Sequence, residues 1–397
     1  MSARAMGATM AAISPTTDWA SLRRLFPILE QRVYFSQGNV GACPTPVREA
    51  MEGFLATWDE LGDDGFMAGF RKYERAKELF AALVNASPEA ICAIPETTTG
   101  INIAAQIIDP KPGSNVVVHE LSYTSAVYPW LDMQKRGVEV RFAPAADGGR
   151  VPMDGFERLI DARTAAVCVC HVGTDSGVRL DLRSISALAS RHGAAVVVDA
   201  AQSAGVVSID VQDAPVDFLA APTFKWLMGP IGAGFLYVRP DRIQATVPPI
   251  VGHGSVTNAR ENDLHAIQYH ATARRFEPGI LSLIPLVGAC AGLELIASVG
   301  LEQIQERTLF LSDRVRAGLM ALTDRGVLVL SPDDRRERAG LMSFTVRDHT
   351  ELHAHLEGRG IHAFLRPKYI RVDTCFYNTE EDVDRLLAEV ATFLDRG

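Results

Sequence analysis

The chain has 397 residues, of which 47% are hydrophobic and 22% charged, and its formal net charge is −9. This composition is close to the globular average, which excludes a disordered or collagen-like chain, and the length predicts two to three domains. The acidic balance argues against nucleic acid or an anionic membrane as the main partner. Apolar runs are too short to span a bilayer, and residues 1–14 lack the apolar core of a secretory signal. We therefore expect a cytoplasmic protein with a loose N-terminal arm.

Strand-like and helix-like segments alternate from about residue 90 to residue 240. Strands are predicted at 91–94, 115–119, 138–142, 164–170, 194–199 and 235–238. Helices are predicted between them at 99–108, 123–136, 153–160 and 182–192. This alternation is typical of an α/β domain with a mostly parallel central sheet.

The pattern changes after about residue 285. Residues 286–322 are predicted to form one long helix, or two helices broken near Gly300. Shorter strands are predicted at 327–330, 341–346 and 369–372, with helices at 351–359 and 380–394. The sequence therefore predicts a smaller C-terminal α+β domain.

The six cysteines are too sparse for a disulfide framework. Cys168 and Cys170 suggest a metal site, but their spacing in an apolar run places both on one face of a strand. No second Cys/His pair completes a zinc site. We therefore interpret them as core residues and predict no metal.

A carboxylate at a predicted strand end and a lysine in a later loop carry the chemistry of the α/β region. Asp199 ends a hydrophobic strand at the edge where α/β sheets bind ligands, and Lys225 lies in a loop beside Trp226. Either residue alone is more simply a strand-end Asp or a surface Lys. Together they suggest pyridoxal 5′-phosphate (PLP), which needs a lysine for a Schiff base and a carboxylate facing its pyridine nitrogen. That carboxylate favours the protonated ring.

A run of threonines precedes the first helix of the α/β region. Thr97, Thr98 and Thr99 lie between a predicted strand and a predicted helix. N–H groups at a helix start, together with hydroxyls, bind anions without a cation. Simple N-capping by threonine is the alternative. Within the same sheet as Asp199, the run predicts a phosphate site.

Seven sequence strings resemble those of class V aminotransferase-like enzymes, which are fold-type I PLP proteins. Within that family the chain is most similar to the isopenicillin N epimerase and cysteine desulfurase-like branch. The similarity covers about residues 33–394. The strings, in chain order, are VYFSQGNVGACPTPV, ETTTGIN, SYTSAVYPW, VDAAQSAG, FKWLMGP, RRFEPG and IRVDTCFYNTEEDVD.

The resemblance implies three domain-level segments and a role for each motif residue. The segments are an N-terminal arm joining the small domain at 1–35, a large PLP-binding domain at 36–285 and a small domain at 286–397. For the cofactor, the resemblance implies that Lys225 forms the Schiff base and that Asp199 faces the pyridinium nitrogen. Gln202 is expected at the phenolic oxygen and Tyr123 on the ring face. Thr97 and Thr98 are expected to hold the phosphate. Substrate roles fall on Arg371, which is expected to bind the α-carboxylate, and on Gly38 and Asn39, which line the substrate end.

The chain departs from its relatives at several of these positions. Pro222, Phe224 and Ile280 replace residues that contact the ring or the phosphate in relatives. Thr223 is the expected substitute phosphate donor. Thr174 is expected to replace an asparagine near the phenolic oxygen, with Ser176 as the alternative.

The resemblance implies a homodimer with active sites at the subunit boundary, where segments 252–255 and 279–282 reach the partner's cofactor. Residues 361–370 lack the loop cysteine of the desulfurases, which argues against a persulfide-forming enzyme. Among reactions on an amino acid, transamination is our first candidate. Carbon–sulfur lysis or another β-elimination comes next, followed by epimerisation. A desulfurase with an unusual thiol and a non-catalytic relative are further alternatives.

Overall fold

Two β-sheets organise the part of the chain that the computed structural model describes, residues 17–261 and 264–396. The loose arm predicted at residues 1–14 lies outside the described residues. The strands, in chain order, are β1 Val33–Phe35, β2 Ile91–Ile94, β3 Asn115–His119, β4 Glu139–Ala143, β5 Thr164–Cys170, β6 Ala195–Asp199, β7 Phe218–Pro222, β8 Gly234–Val238, β9 Leu328–Val329, β10 Leu341–Thr345, β11 Ile361–Arg366 and β12 Tyr369–Asp373.

The α-helices, in chain order, are α1 Trp19–Arg23, α2 Ile28–Gln31, α3 Thr45–Leu61, α4 Asp63–Leu83, α5 Thr97–Ile108, α6 Tyr128–Asp132, α7 Met153–Leu159, α8 Leu182–Arg191, α9 Pro240–Ala245, α10 Leu283–Val299, α11 Leu301–Met320, α12 His349–Gly358 and α13 Glu380–Leu394. The predicted break is found at Gly300, whose φ of +91° separates α10 from α11. By contrast, the predicted helix over 123–136 is three short pieces: 3-10 turns at Thr124–Ala126 and Met133–Arg136 flank α6.

The larger sheet has seven strands in the order β2-β8-β7-β6-β5-β3-β4. Strands β4, β3, β5, β6 and β7 are mutually parallel, whereas β8 is antiparallel to both of its neighbours. The apolar runs of β3, β5, β6, β7 and β8 are buried on both faces, as expected where helices cover a parallel sheet, whereas the edge strand β4 is largely exposed. The prediction of an α/β fold with a mostly parallel central sheet is therefore confirmed.

The smaller sheet has five strands in the order β1-β11-β12-β10-β9. Strand β1 pairs in parallel with β11, so the N-terminal segment adds a strand to a sheet built from C-terminal residues. A second core of buried side chains, including Phe35, Phe344 and Leu386, lies beneath this sheet. The domain boundaries at residues 36 and 285 stay a prediction.

Three of the observed strands, β1, β7 and β11, were absent from the sequence prediction. Strand β7 is a five-residue apolar segment buried throughout, and so short a run has no diagnostic period. Strand β11 occupies residues that we expected to form a loop; it is held between β1 and β12, and both of those pairings are tertiary.

No single helix among the described residues is long and apolar enough to cross a membrane. By length and composition alone, only the pair α10 and α11 passes such a test, with a bend of 81° between the two helices.

Candidate active site

The predicted cofactor residues lie at one edge of the larger sheet. Strands β5, β6 and β7 are parallel and end together there, with Asp199 beside Cys170 and Ala220 in register. Strand β2 runs in the same direction as β7, because both are antiparallel to β8. The start of α5, which follows β2, therefore reaches the same edge. Carboxyl ends of parallel strands are where open α/β sheets bind ligands.

Asp199 is a buried carboxylate, with 3% of its surface exposed. One oxygen accepts the Ala201 N–H at 2.9 Å, and the other lies 3.7 Å from the Cys170 thiol. Burial raises the pKa of Asp199 above its ordinary value, while the Ala201 N–H and Lys225 oppose the shift. A buried carboxylate is costly without a cationic partner, and the protonated pyridine nitrogen of PLP is such a partner.

Lys225 is half-buried in the loop after β7. Its Nζ lies 5.7 Å from the ring centroids of both Tyr123 and Phe224. Burial lowers the pKa of Lys225 below its ordinary value; Asp199 opposes this shift, and Arg371 adds to it. A lowered pKa increases the fraction of neutral amine, which is the nucleophilic form.

The backbone around Lys225 is held from the N-terminal segment. The amide of Gln37 donates to the Lys225 carbonyl oxygen at 2.7 Å, and the Gly41 N–H donates to the Phe224 carbonyl oxygen at 2.8 Å. Tyr377 in turn donates to the Gln37 side-chain oxygen at 2.8 Å. Residues that follow strands β1 and β12 of the smaller sheet therefore help to position the lysine. We did not identify Gln37 from the sequence.

Gln202 joins the cofactor residues to the predicted substrate end. Its Nε2 donates to the Gly38 carbonyl oxygen at 2.7 Å and contacts Thr174 Oγ1 at 3.2 Å. Its Oε1 accepts the Trp226 indole N–H at 2.8 Å. The structure thus brings Gln202, Thr174 and Gly38 together and adds the indole of Trp226, which was not singled out from the sequence. Ser176, the alternative to Thr174, instead donates to the Gly149 carbonyl oxygen at 2.7 Å.

The start of α5 carries the predicted phosphate residues. Thr97 is 5% exposed, and its Oγ1 is buried with no hydrogen-bond partner among the described residues. Thr98 Oγ1 shares a hydrogen bond of 2.9 Å with Ser125 Oγ. An orphaned buried hydroxyl is costly, so the site fits a ligand that accepts its proton. Together with Lys225 and Asp199, these groups fit PLP.

Glu96, the N-cap of α5, was not recognised in the sequence. Its carboxylate accepts the N–H groups of Thr98 and Thr99 at 2.6 and 2.7 Å. These are helix-start donors of the kind that would otherwise face a phosphate. The position of Glu96 directly before the predicted helix is the sequence feature that could have identified it as a helix cap.

The structure places Thr223, the expected substitute donor, and two of the departures, Phe224 and Ile280, as follows. Thr223 Oγ1 lies 2.5 Å from the Pro230 carbonyl oxygen and 2.9 Å from that of Ala233. The Thr223 hydroxyl therefore closes the following loop, which differs from the phosphate contact that we expected. Phe224 instead places its ring beside Lys225, and Ile280 is 73% exposed.

Arg371 is 2% exposed and lies in a set of contacts that the sequence did not predict. Its Nε and Nη2 donate to the two carboxylate oxygens of Asp373 at 2.7 and 2.9 Å. Its Nη1 contacts the carbonyl oxygen and Oγ1 of Thr174 at 3.0 and 3.2 Å. We expected a free guanidinium fork here, and the structure shows one already paired. Asn39 lies half-buried beside Gly38.

Gly38 is required by a close approach of side chains. A Cβ at this position would lie 2.7 Å from Gln202 Oε1, 3.0 Å from Asp373 Oδ2 and 3.2 Å from Arg371 Nη2. Among the residues that the structure describes, no group of three or more His, Cys, Asp or Glu side chains is placed to hold a metal ion.

A buried Asp at a strand end, a half-buried Lys in the next loop and an anion site at a helix start define a fold-type I PLP enzyme. The family model of class V aminotransferases matches residues 43–386. The chain belongs to this family, and PLP is its cofactor.

Relatives and solved structures carry several different activities. The chain is 31% identical over 321 residues to an uncharacterized aminotransferase of Schizosaccharomyces pombe, covering 80% of each protein. It is similar to the apo structure of a cysteine desulfurase from Thermococcus onnurineus, with a TM-score of 0.87 and 26% identity over 98% of this chain and 100% of that one.

C-DES is a third similar protein. One structure is a mutant with glycine covalently linked to the PLP cofactor, with a TM-score of 0.86 and 25% identity over 93% of this chain and 98% of that one. Another is the complex of this cystine C–S lyase with its product cysteine persulfide, with a TM-score of 0.85 and 26% identity over 92% and 99% of the two chains.

Proposed function

We propose that this PLP enzyme is an aminotransferase acting on an amino acid or a related amine-bearing metabolite. The observation that carries the proposal is the presence at one sheet edge of a half-buried Lys225 with a lowered pKa and the buried carboxylate of Asp199. The match to the class V aminotransferase model supports the reaction type. A non-catalytic relative would have no need to bury either group, because a buried charge is costly.

Each residue of the site would have a distinct role in binding the cofactor. PLP, when bound, withdraws electrons from the substrate's α-carbon. Asp199 would hold the proton on the ring nitrogen, and Thr97, Thr98 and Gln202 would hold the polar groups of the cofactor. The ring of Tyr123 would exclude water from one face.

Lys225 would attach the cofactor and then act as a base. With its amine free, Lys225 would be the group placed to take a proton from the substrate's α-carbon. Where that proton would then be delivered distinguishes the candidate reactions: delivery to another atom would lead to transamination, and delivery to the opposite face of the α-carbon would lead to epimerisation. A lowered pKa suits this role, because general bases work best when their pKa lies near the working pH.

Carbon–sulfur lysis with elimination is the second candidate. The likeness to the cystine C–S lyase C-DES favours it. A desulfurase that stores sulfur as a protein persulfide is less well supported. Hairpin β11–β12 contains no cysteine, and the Cys375 that follows is fully buried. A buried thiol is a poor nucleophile because burial raises its pKa.

Product analysis separates these reactions. We would incubate the holoenzyme with a panel of amino acids and amines, each with and without a keto-acid acceptor. Amino transfer to the acceptor without free ammonia supports the aminotransferase. Pyruvate, ammonia and sulfide in equal amounts support the lyase, and loss of optical activity alone supports the epimerase. Absence of turnover with every member of the panel would contradict the proposal.

We propose that Gly38, Asn39 and Arg371 line the substrate end, where Arg371 would donate a hydrogen bond to the substrate. Of the five N–H hydrogens of a guanidinium, four face Asp373 and Thr174. One Nη2 hydrogen remains for a ligand. The contact would therefore be weaker than the two-pronged one of a free fork.

We propose that the enzyme is a homodimer. Apolar side chains are exposed near segments 252–255 and 279–282, including Ile280 at 73% and Ile231 and Val247 at 68%. Pro249, Ile250 and Ile280 also line a cavity of about 340 Å³. Exposed apolar patches of this kind mark association surfaces. Light scattering across a dilution series tests the assembly, and a monomer at all concentrations would contradict it. Cytoplasmic location stays a prediction, to be tested by cell fractionation.

A further inference from the structure

Asp373 brings a second charge to the substrate end of the site. It follows Arg371 by two residues on β12, so both side chains lie on one face of the strand. The carboxylate is fully buried and accepts three hydrogen bonds: two from Arg371 and one from the Gly38 N–H at 2.8 Å. Asp373 is therefore held in place from two different segments of the chain.

The buried ion pair of Arg371 and Asp373 contributes no net charge to the substrate end. A carboxylate arriving beside Gly38 would meet one free N–H of Arg371 and, next to it, the carboxylate of Asp373. Displacing Asp373 would leave that charge buried and unpaired, which is strongly unfavourable. Like charges placed side by side in a buried contact also disfavour binding.

We propose that Asp373 is a specificity-determining residue that selects primary amines whose α-carbon carries no free carboxylate, such as amines, amides or esters, over α-amino acids. This inference rests on the proposed function and narrows its substrate. A neutral carbonyl or hydroxyl can accept the remaining Nη2 hydrogen without facing a like charge. It therefore obtains the one available contact at little electrostatic cost.

The alternative is that Arg371 accepts an α-carboxylate in spite of its partner. This alternative predicts tighter binding of the acid than of its amide, because a charge-assisted hydrogen bond is stronger than a neutral one. The two possibilities thus predict opposite orders of affinity for matched ligands, which makes them separable by binding alone.

The test is a titration of the PLP-loaded enzyme with matched pairs, namely alanine and alaninamide, serine and serinamide, and cysteine and cysteamine. Binding is followed by the absorbance of the bound cofactor, so turnover is not required. In each pair, we expect the member without a carboxylate to half-saturate the enzyme at a concentration about tenfold lower than the amino acid. We expect Asp373→Asn and Asp373→Ser to move the preference about tenfold toward the acids, by removing the competing charge. Asp384→Asn, an exposed charge on α13, is the matched control and should leave the ratio unchanged.

Tighter binding of the acids by the unmodified enzyme would overturn the inference, and that comparison does not depend on whether a variant folds. An unchanged ratio in folded Asp373 variants would also overturn it. If no amine of either kind changes the cofactor absorbance, the proposed function fails and the inference falls with it. An acid preference with normal amine binding overturns only the inference.

Discussion

The carboxylate of Glu96 lies at the helix start that carries Thr97 and Thr98, where it accepts the Thr98 N–H at 2.6 Å. Burial raises the pKa of Glu96, but the hydrogen bonds from Thr99 and Thr98 outweigh it, so the net shift is downward. Glu96 is therefore negatively charged at neutral pH. It stands beside the groups that we expect to hold the phosphate, which is itself an anion.

Removing this charge should strengthen cofactor binding. We expect Glu96→Gln to lower the Kd for PLP by about three- to tenfold, because one like charge near the phosphate is lost at a helix start. The measurement is a fluorescence titration of the cofactor-free protein. Glu60→Gln, at an exposed position on α3, is the control. An unchanged or higher Kd together with a lower Tm would show that Glu96 serves only as a helix cap.

Replacing Lys225 should abolish the covalent attachment of the cofactor without disturbing the rest of the fold. The unmodified protein should be yellow with PLP, and borohydride should fix the cofactor to the peptide that contains Lys225. We expect Lys225→Ala to lose both the covalent link and catalysis, whereas Lys368→Ala, at an exposed position in hairpin β11–β12, should keep both. Peptide mapping by mass spectrometry makes the comparison. Label on any other lysine would refute the assignment.

Asp199→Ala should lose activity but keep the covalent attachment of the cofactor. Lys225 is untouched in this variant, so borohydride should still fix the cofactor. Most of the activity should disappear, because nothing holds the proton on the pyridine nitrogen. Undiminished turnover in Asp199→Ala would remove the electronic role of this carboxylate.

Cys375 should be dispensable for turnover. Its side chain is fully buried, and burial raises the pKa of the thiol far above its ordinary value. We expect Cys375→Ala to keep activity and to reduce the free energy of unfolding by about 1 kcal/mol, the cost of removing one buried heavy atom. Mass spectrometry after incubation with cysteine should find no persulfide at this position. A persulfide on Cys375, with activity lost in the variant, would favour a desulfurase.

Two glycines should respond to alanine in opposite directions. Gly205 has a φ of +95°, and a Cβ there would collide with the Trp226 carbonyl oxygen. We expect Gly205→Ala to destabilise the fold by about 1–3 kcal/mol. Gly53 lies in exposed helix α3 with open space around it, so Gly53→Ala should stabilise by about 0.5–1 kcal/mol. Denaturant unfolding measures both free energies of unfolding. A stabilising Gly205→Ala would contradict the close approach of Gly205 to Trp226.

Acidification should destabilise the protein through a buried histidine. His119 is fully buried, and burial lowers its pKa from 6.5 to about 4. Between these values the unfolded chain binds a proton that the folded chain does not, so stability rises with pH and is lost as pH falls from 6.5 toward 4. The expected contribution is about 3 kcal/mol. Unfolding measured against pH should show a smaller slope in His119→Gln, while His192→Gln, at an exposed position, should match the unmodified protein. Equal slopes in all three would contradict it.

The sequence alone was sufficient for those features that depend on neighbours along the chain. Alternating apolar runs predict the α/β fold, because burial on both faces requires uninterrupted hydrophobic strands. Asp199 ends such a strand, so its position at the ligand-binding edge could be predicted. The break at Gly300 is likewise local, since glycine readily adopts the positive φ found there.

Only the tertiary structure decided how the site residues are paired. Arg371 contacts Thr174, and Gln202 contacts Gly38 and Trp226; most of these partners are far apart in the sequence. Strand β11 also depends on remote partners. Chain-local patterns carry no information on which remote donor meets which acceptor, because packing of the two sheets sets those distances. The residue types of the site were therefore readable in the sequence, whereas the contacts of Gln202 with Gly38 and of Arg371 with Thr174 were decided only by the folded chain.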